Sequence, residues 1–167
     1  MLFRSGPHIE ANTTLQGYVT GNVDFAPTIA EMAGVVPPKY VDGRSMLSLF
    51  DAASRPPISA WRSGYLLEFY GYNQQSEDED VSEPISTSLP KSKPKPEYLG
   101  LRTTDYLYVE YQDGFVELYD LKTDPYEMEN IAATADKSLL QHLSEWLHAL
   151  STCAGQQCST LDQDTVK

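Results

Sequence analysis

The sequence predicts an α/β (α+β) chain: α/β material first, then a small antiparallel sheet with a C-terminal helix. Three observations carry this. Residues 25–33 repeat apolar positions at helical spacing, with Phe25, Ile29, Met32 and Ala33 on one face. Residues 98–121 hold three short runs of Tyr, Val, Leu and Phe, separated by Thr103-Thr104-Asp105 and by Gln112-Asp113-Gly114. Residues 136–150 return to helical spacing, with Leu139, Leu143, Trp146 or Leu147, and Leu150 on one face.

Composition narrows the partners. Twelve Lys and Arg against 24 Asp and Glu give a net charge of −12 over 167 residues, which opposes nucleic acid and anionic membrane surfaces. No run approaches the roughly 20 apolar residues of a membrane span. The opening stretch MLFRSGPHIEANTT lacks the apolar core of a secretory signal. Leu2-Phe3-Arg4 reads as the tail of a strand with neighbours upstream, so the chain is expected to be a fragment. Asn12-Thr13-Thr14 is a glycan acceptor sequence, and Asn12 is expected to carry a glycan if the chain enters the secretory route.

Asp24 reads as the N-cap of the first helix, with Pro27 tolerated in the first turn and Gly34 as the stop. Asp42-Gly43-Arg44-Ser45 is a turn before the short apolar run Met46 to Phe50, and residues 52–59 are a loop. Trp61-Arg62 then introduces residues 65–72, which alternate as a strand ending at Gly71. Glu68 is the one charge inside it, either an outward-facing strand residue or a polar group lining a pocket. Residues 74–96 carry an acidic block, a Ser/Thr stretch and a Lys/Pro block, and read as a mobile surface insertion.

In the meander, Tyr106, Tyr108 and Glu110 fall on one face and Leu107, Val109 and Tyr111 on the other. Asp113-Gly114 supplies a tight turn with positive φ, and Asp124-Pro125 closes the unit. Residues 126–134 are an irregular link, Asp136 caps the final helix, and the last nine residues read as polar and frayed. Cys153 and Cys158 are spaced for a small disulfide loop in an oxidising compartment, with two free thiols or a share in a metal site as the other readings. His142 and His148 are six apart and project in different directions on a helix. No phosphate loop, nucleophile elbow or HExxH stretch is present, so no catalytic residue and no metal ligand is assigned.

The order of segments is nevertheless specific. SGPHIEANTTLQGYVTGNVDFAPTIAEMAGV, VDGRSMLSLF, WRSGYLLEFYG, YLGLRTTDYLYVEY and ELYDLKTDPYEMENIA together resemble the C-terminal third of a sulfatase, in the N-acetylglucosamine-6-sulfatase branch. CAGQQC is similar to that branch's terminal cysteine pair, and the branch also has a glycan acceptor matching Asn12.

The resemblance implies that residues 1–56 end a large α/β domain. Residues 57–152 would form a smaller sheet-and-helix domain, and residues 153–167 the Cys loop and tail. It implies a sulfuric ester hydrolase, secreted or lysosomal, acting on a sulfated amino sugar or an aryl sulfate, with calcium in the complete enzyme. The family's formylglycine motif C/S-x-P-x-R, its calcium ligands and its sulfate-binding Lys and His groups have no counterpart here, so the chain alone is expected to be inactive. The second expectation is a free-standing carbohydrate-binding or interaction module without catalysis.

For substrate contact the resemblance points to the segment around Glu68 and Tyr70, which approaches the substrate side of the domain boundary in that branch. By period two these side chains share a side, offering a carboxylate to hydroxyls and a ring to a sugar face. Arg62 is placed to meet a uronate or sulfate, or to make a structural ion pair.

Overall fold

The computed structural model describes residues 13–70 and 97–164. Asn12, Gly71 and the 74–96 segment lie outside the described residues. A 3-10 turn, Asn22–Asp24, leads into α1, Phe25–Met32; α2, Leu47–Phe50, follows. Four strands come next: β1 Gly64–Phe69, β2 Tyr98–Thr103, β3 Tyr106–Tyr111 and β4 Val116–Asp120. The chain then enters α3, Lys137–Thr152, and α4, Gln156–Leu161.

All four strands form one antiparallel sheet in the order β1-β2-β3-β4. The expected three-strand meander is therefore completed by the earlier strand, which ends at Phe69 rather than Gly71. Of the two turn residues, only Gly114 takes a positive φ, +87°; Asp113 closes the turn with its side chain, accepting from Phe115 N at 3.0 Å.

Period two decides which face of the sheet is covered. Leu66, Leu101, Tyr108 and Leu118 align across the four strands. Against this row lies the apolar stripe of α3, and Leu101, Leu118, Leu143 and Leu147 are completely buried. Trp146 and Leu147 are both buried, so the stripe takes the two residues between which periodicity did not choose. Asp136 caps α3 as expected, accepting from Ser138 N and Leu139 N. The hydrogen bonds to its carboxylate hold it below the ordinary range of an aspartate.

A second cluster, Met46, Leu49 and Trp61, packs with Leu15, Tyr18 and Phe50. Trp61 Nε1 donates to Val19 O at 2.7 Å, satisfying the indole inside it.

Two expectations fail. Residues 159–164, the described part of the tail, are not frayed: α4 runs to Leu161, Trp146 Nε1 donates to Leu161 O at 2.7 Å, and Asp162 is buried. Asp24 stands at the N-cap of α1 but its side chain makes no cap hydrogen bond into that helix. Its carboxylate is drawn instead to stronger, charged donors, as the next subsection describes.

At Gly64 sheet and helix approach closely. A Cβ at this position would lie 2.4 Å from Trp146 Cζ2, inside a ring already held by its own hydrogen bond. Gly64→Ala is expected to lower unfolding free energy by about 1–3 kcal/mol, read by urea denaturation of the chain. An unchanged midpoint would show that the ring yields freely.

Candidate functional site

Arg62 sits in the extended segment before β1 and is only 3% exposed. Nη2 donates to Asp24 Oδ1 at 2.7 Å and Nη1 to Oδ2 at 3.0 Å, a two-point pairing with a completely buried carboxylate. Asp24 also accepts from Gly21 N at 2.9 Å and Arg44 N at 3.0 Å. On the other side, Arg62 Nε lies 3.3 Å from Asp162 Oδ2, and Asp162 takes Arg44 Nη2 at 2.6 Å. Burial pushes the Asp162 carboxyl up, against the pull of the Arg44 and Arg62 guanidiniums. Of the two roles open to Arg62, its geometry here is that of a structural ion pair.

Glu68 and Tyr70 lie at and just past the opposite end of β1, about 20 and about 26 Å from Arg62 at roughly 3.3 Å per extended residue. The three do not converge on one point. Glu68 and Tyr70 do meet each other: both are exposed, and the Tyr70 phenol donates to Glu68 Oε1 at 2.7 Å. The hydrogen bond to Glu68 and its charge, with smaller effects of burial and Glu97, raise the phenol above its ordinary 10.0. Tyr70 therefore stays protonated near neutrality, a donor rather than a base or nucleophile.

On the sheet face opposite Glu68 runs a row of rings that periodicity alone did not reveal. Phe69 stacks on Tyr98 at 5.5 Å between centroids, Tyr98 meets Tyr111 at 5.7 Å, and Tyr111 meets Phe115 at 5.7 Å. The register Phe69–Tyr98–Tyr111 produces the row, and it needed the pairing of β1 with β2, which lies across the 74–96 segment in sequence. On the helix side Tyr108 donates to Glu110 Oε1 at 2.7 Å, while His148 Nε2 lies 3.0 Å from Glu110 Oε2. Burial, then Glu110, pushes the Tyr108 phenol up.

Cys153 and Cys158 are joined, with Cα atoms 5.2 Å apart, which closes off the thiol and metal readings. Gly155 N within the loop donates to Asp42, binding the Cys loop to the turn before Arg44. Among the described residues no group of three or more His, Cys, Asp or Glu is placed to hold a metal ion. Asp24 and Asp162 share Arg62 instead. The described residues thus do not form a site for the calcium that the resemblance implies for the complete enzyme. No helix among them is long and apolar enough to cross a membrane.

Residues 1–152 match the family model described as N-sulphoglucosamine sulphohydrolase, C-terminal. The N-acetylglucosamine-6-sulfatase of Capra hircus is 34% identical over 93% of this chain and 30% of its own length, and that of Homo sapiens gives the same figures. The N-acetylglucosamine-6-O-sulfatase of Bacteroides thetaiotaomicron is 29% identical over 87% of this chain and 24% of its own. A solved protein in complex with its substrate, D-glucosamine-2-N,6-O-disulfate, superposes with a TM-score of 0.60. It is 26% identical over 87% of this chain and 26% of that chain. The chain spans about 30% of the length of the mammalian relatives.

The Glu68–Tyr70 pair makes a titration prediction. Glu68→Gln removes the charge and weakens the acceptor, so the Tyr70 phenol should fall back toward 10.0. Ultraviolet difference titration against a Tyr70→Phe control reads this one phenol. An unmoved Tyr70 would mean the pair does not form in solution.

Proposed function

The chain belongs to the sulfatase family, as its N-sulphoglucosamine sulphohydrolase C-terminal region, and from that premise we propose that it forms the C-terminal portion of a sulfuric ester hydrolase acting on a sulfated amino sugar. The observation that carries this reading is the 34% identity to N-acetylglucosamine-6-sulfatases across 93% of the chain. In this reading residues 1–56 close the α/β domain and residues 57–152 form the smaller sheet-and-helix domain. Residues 153–167 supply the Cys loop and tail. The formylglycine nucleophile and calcium belong to the remainder of the enzyme, and aryl sulfates are a second substrate class. A secreted or lysosomal compartment suits the disulfide, and a glycan at Asn12 belongs to the same proposal.

The chemistry assigned to this portion is recognition. Glu68 accepts from sugar hydroxyls, and Tyr70 presents a ring face and a protonated phenol. Arg62 acts on the substrate only indirectly, by holding the start of β1. The row of rings on the sheet face opposite Glu68 favours a second reading, a sugar-binding module without catalysis.

The test uses the complete enzyme carrying this portion. Glu68→Gln and Tyr70→Phe should each lower kcat/KM on a 6-sulfated amino sugar about 10-fold or more, the worth of a hydrogen bond to a charged group, and leave a small aryl sulfate unaffected. In the same assay the 167-residue chain alone should release no sulfate above a boiled control. Equal rates on both substrates at unchanged stability would make the two residues scaffold. Sulfate release by the chain alone would overturn the division of labour.

A further inference from the structure

The helix α4 has six residues, too few to persist unaided, since isolated helices shorter than about 12 residues are marginal in water. It is held from three directions. Toward the first half of the chain, Asp42 accepts from Gly155 N, and a Cβ at Gly155 would lie 2.5 Å from Lys39 O. From α3, Trp146 Nε1 donates to Leu161 O. At the entry to β1, the Asp162 carbonyl accepts from Ser63 N and Gly64 N, and its carboxylate takes Arg44 Nη2 and faces Arg62 Nε. Residues 155–162 are thus a strap across three parts of the fold.

One covalent bond sets the path of this strap. The Cys153–Cys158 bridge joins the end of α3 to α4 across a sequence separation of 5. Chain-entropy stabilisation grows with the length of the closed loop, so a span this short contributes little to holding the whole chain together. The buried residues of the main apolar cluster lie in β2, β3, β4 and α3, with Cys153 only at its margin. The effect of the bridge therefore falls on the strap. Without it, Gly155 and the residues beyond lose their fixed approach to Asp42 and to β1. Both cysteines are half-buried, within reach of a small thiol.

We propose that residues 153–162 form a redox-sensitive latch on β1, closed while Cys153 and Cys158 are joined and released when a dithiol reduces them. The exchange balances within itself. One thiolate of the dithiol attacks a bridge sulfur, the protein S–S bond breaks, and a mixed disulfide forms. The second thiolate of the reagent then displaces the protein sulfur. The reagent leaves as its own cyclic disulfide, and Cys153 and Cys158 remain as thiols, having taken up the electrons and protons. Once released, α4 unwinds, Ser63 and Gly64 lose their common acceptor, and Arg44 and Arg62 lose Asp162. Asp24 keeps both of its contacts with the Arg62 guanidinium, and the α3 stripe stays on the sheet, so the opening is local. The latch sets the mobility of the strand whose far end carries Glu68, and it does not depend on the sulfatase reading.

Amide hydrogen exchange of the 167-residue chain, with and without dithiothreitol, tests the latch. Reduction should speed exchange at Ser63, Gly64 and Asp162 by at least about 10-fold, while amides of β3 and of residues 143–150 change by less than about 2-fold. The double variant Cys153→Ser with Cys158→Ser should show the fast pattern in both conditions. Unchanged Ser63 and Gly64 amides on reduction would overturn the proposal. So would equal acceleration in β3, because the bridge would then be a staple of the whole fold. A serine variant that still responds to dithiothreitol would show that the effect does not pass through the bridge, and would overturn it too. If the serine variant does not fold, the comparison of oxidised and reduced native chain decides alone.

Discussion

The structure depends on one buried set of charges. Asp24, Arg44, Arg62 and Asp162 come from four separate places in the chain, and the first and last lie 138 residues apart, 162 minus 24. Asp24 is wholly buried, and Arg62 and Asp162 nearly so. Stripping water from such groups costs several kcal/mol per ion, and a single pair rarely recovers it. Here the cost is offset by multiplicity. Asp24 accepts four hydrogen bonds, two from main-chain N–H groups and two from one guanidinium. Asp162 adds its main-chain carbonyl, which accepts from Ser63 N at 2.8 Å and Gly64 N at 3.1 Å, so the start of β1 hangs from the residue after α4. The set therefore specifies which segments meet, a task the apolar clusters cannot perform because hydrophobic burial is not directional.

What the sequence made legible followed from periodicity and turn chemistry. The meander, the Asp136 cap and the α3 stripe are local patterns, and each appears where the residues place it. What it concealed depends on partners distant in sequence. Asp24 satisfies every local criterion for an N-cap, yet a guanidinium 38 residues away outcompetes the helix amides. Asp162 lies in a Leu-Asp-Gln-Asp stretch that looks solvated; the clue was Leu161, one helical turn beyond Cys158. The first helix shows the reverse error. Its apolar spacing is real, but nothing among the described residues of this chain covers Ile29 and Met32.

The candidate site has a consistent division of labour. Glu68 and Tyr70 together offer carboxylate acceptors, a phenol and a ring face, groups of the kind that hold a sugar. They offer no nucleophile, since the raised Tyr70 phenol stays protonated and both cysteines are joined. β1 joins the two regions: the charge network fixes its first residues, and Glu68 and Tyr70, the proposed recognition groups, stand at its far end. Arg62 is engaged by Asp24 and Asp162, and in the proposed reading it bears on the site through strand position.

A double-mutant cycle on Asp24→Asn and Arg62→Met, followed by urea denaturation, tests the network most directly. Each single change leaves a buried partner uncompensated and should cost about 3–5 kcal/mol. The double change removes both charges and should cost at least about 2 kcal/mol less than the sum. Single effects that add within about 0.5 kcal/mol would mean that the two charges are not coupled, and the network would lose its place as the constraint that assembles the chain.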